Sequence, residues 1–462
     1  MTERCDLVIT GVDALVDADT LIEDAVIAVR GGELQQIAAR AGRRVDDPTD
    51  TAFIDATRHL HLPGHLALPG LVNIHTHAAL CMLRGVAEDL GFAPAYTPGM
   101  PGGSLLTAGE ACALARLGAL EALRFGSTTI VDTYVHAEAT LPAMTDLGVR
   151  VCASPRIHDA DLARLARREW HFDPAIGAAT LGEAVALAER HPDAPDRLAS
   201  VHFAAHAPDT CSAAMLAQVR EAAARFGRPV ATHLAQSRAE VETVRAREGA
   251  SPAVVLDRAG LLGPQLIAAH GIHLDADDIA LCGARGITLA HIPKGNATGG
   301  HIAPTRALAR AGVQLALGTD NMHADLIETM RWALNLGRVQ VGAVADDWQP
   351  GHVFAMATSA SAAALGWSDR LGTLHAGKRA DLVLLDQRTP HLAPRLRPLG
   401  ALVHTGQGRD VRHVIVNGEL VIEDGEPTRA RMADVVADAQ AAAEAVWRRA
   451  GGLPPPMVPR AD

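Results

Sequence analysis

The stretch "GLVNIHTHAAL" (residues 70–80) decides how the rest of the chain is read. His75 and His77 close a short apolar run, with Thr76 between them. In a β-strand, residues i and i+2 share a face, so "LVNI" reads as a buried strand that aims both imidazoles at one point. The pair alone leaves two readings open, a packed core pair or one half of a metal site. The other ligands have to come from elsewhere in the chain.

Seven further apolar runs follow: "STTIVD" (127–132), "VRVCAS" (149–154), "ASVHFAA" (199–205), "RPVATHL" (228–234), "LIAAH" (266–270), "GITLAHI" (286–292) and "VQLALGTD" (313–320). Amphipathic helical stretches lie between most of them, among them 109–126, 212–227 and 275–286. The last opens on an aspartate in N-cap position and closes on a glycine. Eight strand–helix repeats predict an α/β fold with a parallel (β/α)₈ barrel. An open doubly wound sheet is the second choice, and no GxGxxG turn favours it.

The flanks have a different texture. Residues 1–68 hold short alternating runs broken at Gly31-Gly32, and 372–425 repeat the pattern with Asn-Gly and Asp-Gly turn signals. Both ends therefore read as strands of one small antiparallel domain outside the barrel. The expected organisation is a composite β-sandwich from 1–68 and 372–429, a barrel over 69–371, and a C-terminal helix and tail over 430–462.

Composition narrows the function. A chain of 462 residues with 48% hydrophobic content and a mean hydropathy of +0.10 can bury a large core. Aromatics make up only 3%, so Ala, Val and Leu must build that core. A net charge of −11 argues against nucleic acid, which calls for a basic stripe. No basic leader with an apolar core is evident, and no apolar run nears the ~20 residues that span a bilayer. A cytoplasmic protein with no membrane partner is expected. The six cysteines are scattered without CxxC spacing and read as free thiols. Only two lysines occur, Lys294 and Lys378.

In barrels of this kind the chemistry sits at the C-terminal ends of the strands. Those ends carry His75 and His77, His206, His233, His270, His291 and Asp320. One histidine at a strand end is usually a packed core residue, but so many from different strands, with an aspartate, are hard to assign to chance. Neutral imidazoles with one carboxylate suit zinc or ferrous iron and leave a position for water.

At this point the chain resembles the amidohydrolase superfamily, in its aminohydrolase and chlorohydrolase branch (S-adenosylhomocysteine deaminase and s-triazine hydrolase-like). "LALPGLVNIHTH", "HAPDTCS" (206–212), "THLAQS" (232–237), the segment from "AHGIHLD" to "GGHIAP", "LGTDN" and "GTLHAGKRADLVLLD" carry the resemblance along almost the whole chain. It implies His75, His77, His233 and Asp320 as ligands of one divalent metal, zinc before iron. It also implies that His270 hydrogen-bonds the metal-activated water and shares its proton with Asp320. His206 is implied as a substrate contact, and Asn296 as a residue that orients substrate or forms a turn.

Branches with two metals bridge them through a carboxylated lysine after strand 4. This chain has no lysine there, so one metal is expected. Two departures from the branch stand out. Its usual strand-5 His-x-x-Glu reads His233 to Gln236 here, and an amide can hydrogen-bond but cannot shuttle a proton. The loops "GFAPAYTPGMPGG" (91–103) and "TDNMHADLIETMR" also differ from the nucleoside-deaminase pattern. Gln236 and His323 are candidate substrate contacts, and Glu88, Asp89 or His323 are candidates for the missing acid.

The expected activity is hydrolytic removal of an amino or alkylamino group from a small N-heterocycle, by a homo-oligomer. Hydrolytic dehalogenation of such a ring is the alternative. An inactive scaffold is a third reading, and the retained ligand set argues against it.

Overall fold

Alternating runs at the ends and fully apolar runs in the middle give two kinds of sheet. The computed structural model describes residues 4–39, 55–90 and 94–454. The first three residues of the loop 91–103, the tail beyond 454, and residues 1–3 and 40–54 of the N-terminal flank lie outside the described residues.

The N-terminal strands are β1 (Cys5–Leu15), β2 (Leu21–Arg30), β3 (Glu33–Ala39) and β4 (Ala56–Pro69). Next come β5 (Leu71–Thr76), β6 (Ser127–Asp132), β7 (Arg150–Ala153), β8 (Arg156–Ile157), β9 (Ala199–Val201) and β10 (Phe203–Ala205). They are followed by β11 (Val230–Leu234), β12 (Leu266–His270), β13 (Thr288–His291) and β14 (Gln314–Leu317). The C-terminal strands are β15 (Leu382–Asp386), β16 (Val411–Val416), β17 (Glu419–Glu423) and β18 (Glu426–Pro427).

Both chain ends meet in one sheet, ordered β18-β17-β16-β15-β4-β1-β2-β3. Its Asn417-Gly418 and Asp424-Gly425 turns have positive φ at both residues, as two-residue hairpins require. One pairing departs from the antiparallel expectation: β1 and β4 run parallel. The hairpin β2–β3 lies between them in the chain, so β4 returns by a long crossover, as a parallel neighbour must.

Each of the eight middle runs forms a strand. They assemble as two parallel sheets, β5-β6-β7-β9 and β14-β13-β12-β11-β10-β8. Residues of β5, β6, β11 and β12 are buried on both faces, which explains why these segments lack alternation. The fourth run is split at His202. There β9 pairs with β7 and β10 pairs with β11, while the His202 N–H donates to the Ala153 carbonyl at 2.9 Å. At the other side Thr76 bridges Asp320, with Asp320 N–H on the His75 carbonyl at 3.0 Å and His77 N–H on the Asp320 carbonyl at 3.1 Å. The first and last strand ends are thereby stitched at the histidine pair.

Helix ends follow their capping signals. Asp275 and Asp278 form a reciprocal capping box on Ala276–Arg285, and Gly286 ends that helix in the left-handed region. The C-terminal helix Met432–Arg449 packs on Ala108–Arg124, and Trp447 Nε1 donates to the Met82 carbonyl at 2.9 Å. Arg150 of β7 is fully buried and ties the parallel strands to the end sheet. Its guanidinium engages Asp381 and Asn417, while its Nε donates to the Pro195 carbonyl at 2.8 Å.

Candidate active site

The structure brings five of the strand-end residues together. Ligand atoms of His75, His77 and His233 lie within 4.8 Å of one another, and so do those of His75, His270 and Asp320. His77 Nε2 is 3.2 Å from His233 Nε2 and 3.3 Å from Asp320 Oδ1. All five side chains are buried. His270 and Asp320 both adopt positive φ, at 74° and 67°, a conformation that costs L-residues energy and clusters at functional sites.

The hydrogen bonds fix the tautomers. A carbonyl only accepts, so His77 Nδ1 donates to Thr133 O, and His233 Nδ1 donates to His206 O at 2.7 Å. Each Nε2 then carries a bare lone pair, and the two face each other beside a carboxylate. His75 Nε2 has no hydrogen-bond partner at all. Converging lone pairs with no proton between them repel one another, and a cation at their common focus turns that repulsion into coordination. The donor set therefore fits a divalent transition metal.

Electrostatics agree. Burial pushes the imidazolium form of His77 down to about 3, and His233 falls well below its ordinary value through burial and neighbouring imidazoles. For Asp320 burial pushes the carboxyl up, but the histidines around it, His75 first with its Nε2 at 3.7 Å, outweigh it and bring it to about 2. His77 and His233 thus stand neutral and Asp320 ionised, the forms in which such groups bind a metal.

Above the cluster opens a cavity of about 650 Å³, within the range of small-molecule sites. Its floor includes His77, His233, His270 and Asp320, and its wall includes His206 and Gln236. Gln236 is reached by a left-handed turn at Ala235, whose N–H and that of Gln236 both donate to the buried Glu240 carboxylate at 2.8 Å. Burial, then Asp209, pushes the Glu240 carboxyl well up. Two roof segments share one anchor: Tyr96 Oη and Trp170 Nε1 donate to Asp209 Oδ2 at 2.7 and 3.0 Å.

Asn296 does not line the cavity. It sits behind His270, with Oδ1 at 3.0 Å from His270 Nδ1, and so supports that ring. His323, Glu88 and Asp89 are not in the cavity wall either. His291 stays out of the cluster and is buried with neither ring nitrogen hydrogen-bonded. Sequence reasoning missed Arg156 and His158, which follow β7 and face the cavity. The Arg156 guanidinium lies 5.0 Å over the Tyr134 ring, and its Nε has no partner. An arginine and a histidine just past a strand end were the only signal available.

Parallel strands that converge neutral imidazoles and one carboxylate beneath a ligand-sized cavity define a class, the hydrolases that activate water at a strand-end metal site. Residues 66–421 match the model of the amidohydrolase family, and the chain belongs to that family. It is 33% identical to the 5-methylthioadenosine/S-adenosylhomocysteine deaminase of Syntrophobacter fumaroxidans over 436 residues, covering 92% of this chain and 94% of that one. Against the 5'-deoxyadenosine deaminase of Methanosarcina barkeri the identity is 32% over 438 residues, with 93% and 95% covered. Among solved structures, an adenosine deaminase from Xanthomonas campestris with bound zinc superposes with a TM-score of 0.84 at 28% identity, covering 96% and 99%.

Proposed function

We propose that the chain is a mononuclear metal-dependent aminohydrolase that replaces the exocyclic amino group of an adenine-type nucleoside with oxygen, releasing ammonia. The observation that carries this is the cluster of bare Nε2 atoms and Asp320 on the floor of a cavity roomy enough for a nucleoside. Relatives of matching length that are named for adenosine derivatives support the substrate class.

His75, His77, His233 and Asp320 would hold one zinc ion, and a divalent cation bound there supplies the Lewis acidity that brings a water's pKa toward neutrality. His270, its Nδ1 side tied to Asn296, keeps Nε2 free to take and return a proton, with Asp320 as the second proton carrier. Gln236 orients the ring through its amide, and His206 packs beside it. Arg156 offers its guanidinium to the substituent at the far end of the substrate.

In this reading the two parallel sheets, stitched at Thr76 and Asp320, are one (β/α)₈ barrel over 69–371. The end sheet is a composite β-sandwich over 1–68 and 372–429, and 430–462 form the C-terminal helix and tail. The protein would work as a cytoplasmic homo-oligomer. No helix among the described residues is long and apolar enough to cross a membrane.

A second reading rests on Gln236. With an amide in place of an acid, displacement of chloride from an electron-poor ring needs no proton donor on that side. A screen of zinc-loaded enzyme against adenosine, 5'-deoxyadenosine, 5-methylthioadenosine and chlorinated heterocycles, read by ammonia and chloride release, tests both. Ammonia from the nucleosides is expected. Chloride release with no ammonia would replace the first reading by the second.

A further inference from the structure

Resting on the nucleoside reading, we infer that His158 is a specificity-determining residue whose Nε2 accepts a hydrogen bond from a hydroxyl of the substrate's sugar. The tautomer makes that atom an acceptor. His158 Nδ1 is 2.9 Å from the Ala160 carbonyl, so Nδ1 carries the proton and Nε2 the lone pair. The backbone on either side is pinned, since Thr180 Oγ1 donates to the His158 carbonyl at 2.9 Å and accepts from its N–H. The preceding pair Arg156–Ile157 is laid along β10. The ring is thus fixed where it lines the cavity. Burial first, then the Arg156 charge, lowers its imidazolium to about 4, which keeps it a neutral acceptor near neutral pH.

Position selects the sugar rather than the reacting ring. His158 stands two ring-to-ring steps from the cluster, 6.2 Å to His206 and then 5.2 Å from His206 to His233. A base reacting above His233 and His270 therefore presents its glycosidic substituent toward His158. Competing carboxylates are scarce. Among the described residues that line the cavity the carboxylates are Asp320, in the cluster, and Asp161. Asp161 is already engaged by Arg164 Nε at 3.0 Å and by the Ala163 N–H at 3.1 Å. Sugar hydroxyls are donors that lose water on entering such a site, and an acceptor left unmatched there is expensive.

The test compares adenosine with 2',3'-dideoxyadenosine on zinc-loaded wild type, His158→Phe and His158→Gln. Wild type should favour adenosine by about tenfold in kcat/KM, the scale of one such bond. His158→Phe should erase that preference through KM for adenosine, with kcat and the dideoxy substrate little changed. His158→Gln, which retains an acceptor oxygen, should restore part of it. Equal loss on both substrates, or a wild type indifferent to the hydroxyls, would overturn the inference while leaving adenine deamination intact. Failure of wild type to deaminate either nucleoside would overturn the functional reading itself, and this inference with it.

Discussion

Gly318 follows β14 directly and backs onto His75, so Gly318→Ala probes the site without replacing any proposed ligand. A Cβ built there falls 2.8 Å from His75 Cβ and 2.9 Å from the His75 carbonyl oxygen. Carbon–carbon contacts become comfortable only at about 3.5 Å, so His75 has to retreat by roughly 0.7 Å. Its backbone carbonyl is crowded as well as its side chain, and no rotamer change relieves the clash. Metal–ligand distances tolerate only about ±0.2 Å, so the shift exceeds what a coordination shell absorbs. The variant should lose about 1–3 kcal/mol of stability through overpacking and at least about tenfold in metal affinity. Chelator competition with zinc, alongside a thermal melt, measures both. Gly182→Ala, in the helix Pro174–Arg190 with open space around its Cβ position, is the control and should be neutral or slightly stabilising. If Gly318→Ala kept wild-type zinc affinity and turnover, the placement of His75 against the last strand would be wrong.

Metal analysis should find one zinc or iron per chain, and His75→Ala and His233→Ala should lose both metal and turnover. Two ions with full activity would refute the argument from the missing lysine. His270→Ala should retain metal and lose about 10²–10⁴-fold in rate; a metal-free variant would make His270 a ligand instead. Gln236→Glu should help substrates with poor amine leaving groups and change good ones little, measured across a leaving-group series. A Gln236→Ala enzyme equal to wild type on every member would show that the amide is idle. Glu110 offers a pH test away from the site: hydrogen bonding to Arg449, joined by the Thr107 cap, holds its carboxyl at about 2 against an ordinary 4.5. A depressed folded-state value contributes stability above the unfolded one, so the contribution is lost as pH falls from 4.5 toward 2. The melting difference between wild type and Glu110→Gln should be small, given surface screening, and close over that window. A constant difference would count against the ion pair.

What was legible in the sequence were features with a period or a fixed spacing. Strands buried on both faces read as unbroken apolar runs, and His75 and His77 share a face because the strand repeat is two. The helix 276–285 announced both of its ends through Asp275 and Gly286. Contacts that depend on the third dimension left no such trace. The split at His202 arises because one strand changes partners midway, and a linear run of apolar residues cannot display that. Asn296 read as a residue that orients substrate or forms a turn, yet it stands behind His270 and holds that ring through Oδ1. Arg156 sits in a two-residue strand and His158 just past it, a stretch too short for periodicity to mark an inward side chain. The parallel pairing of β1 with β4 followed from a crossover whose path the alternation of either strand does not encode.

The union of both chain ends in one sheet also imposes a timetable on synthesis. β4 leaves the ribosome with one edge beside β1, but its other neighbour, β15, begins at Leu382, some 310 residues later. At about 5–20 residues per second that edge waits roughly 15–60 s for its mate. An open strand edge is a template for pairing with other chains. The nascent protein is therefore most exposed to misassociation while its middle strands are being made, and it becomes safe only when its last eighty or so residues emerge.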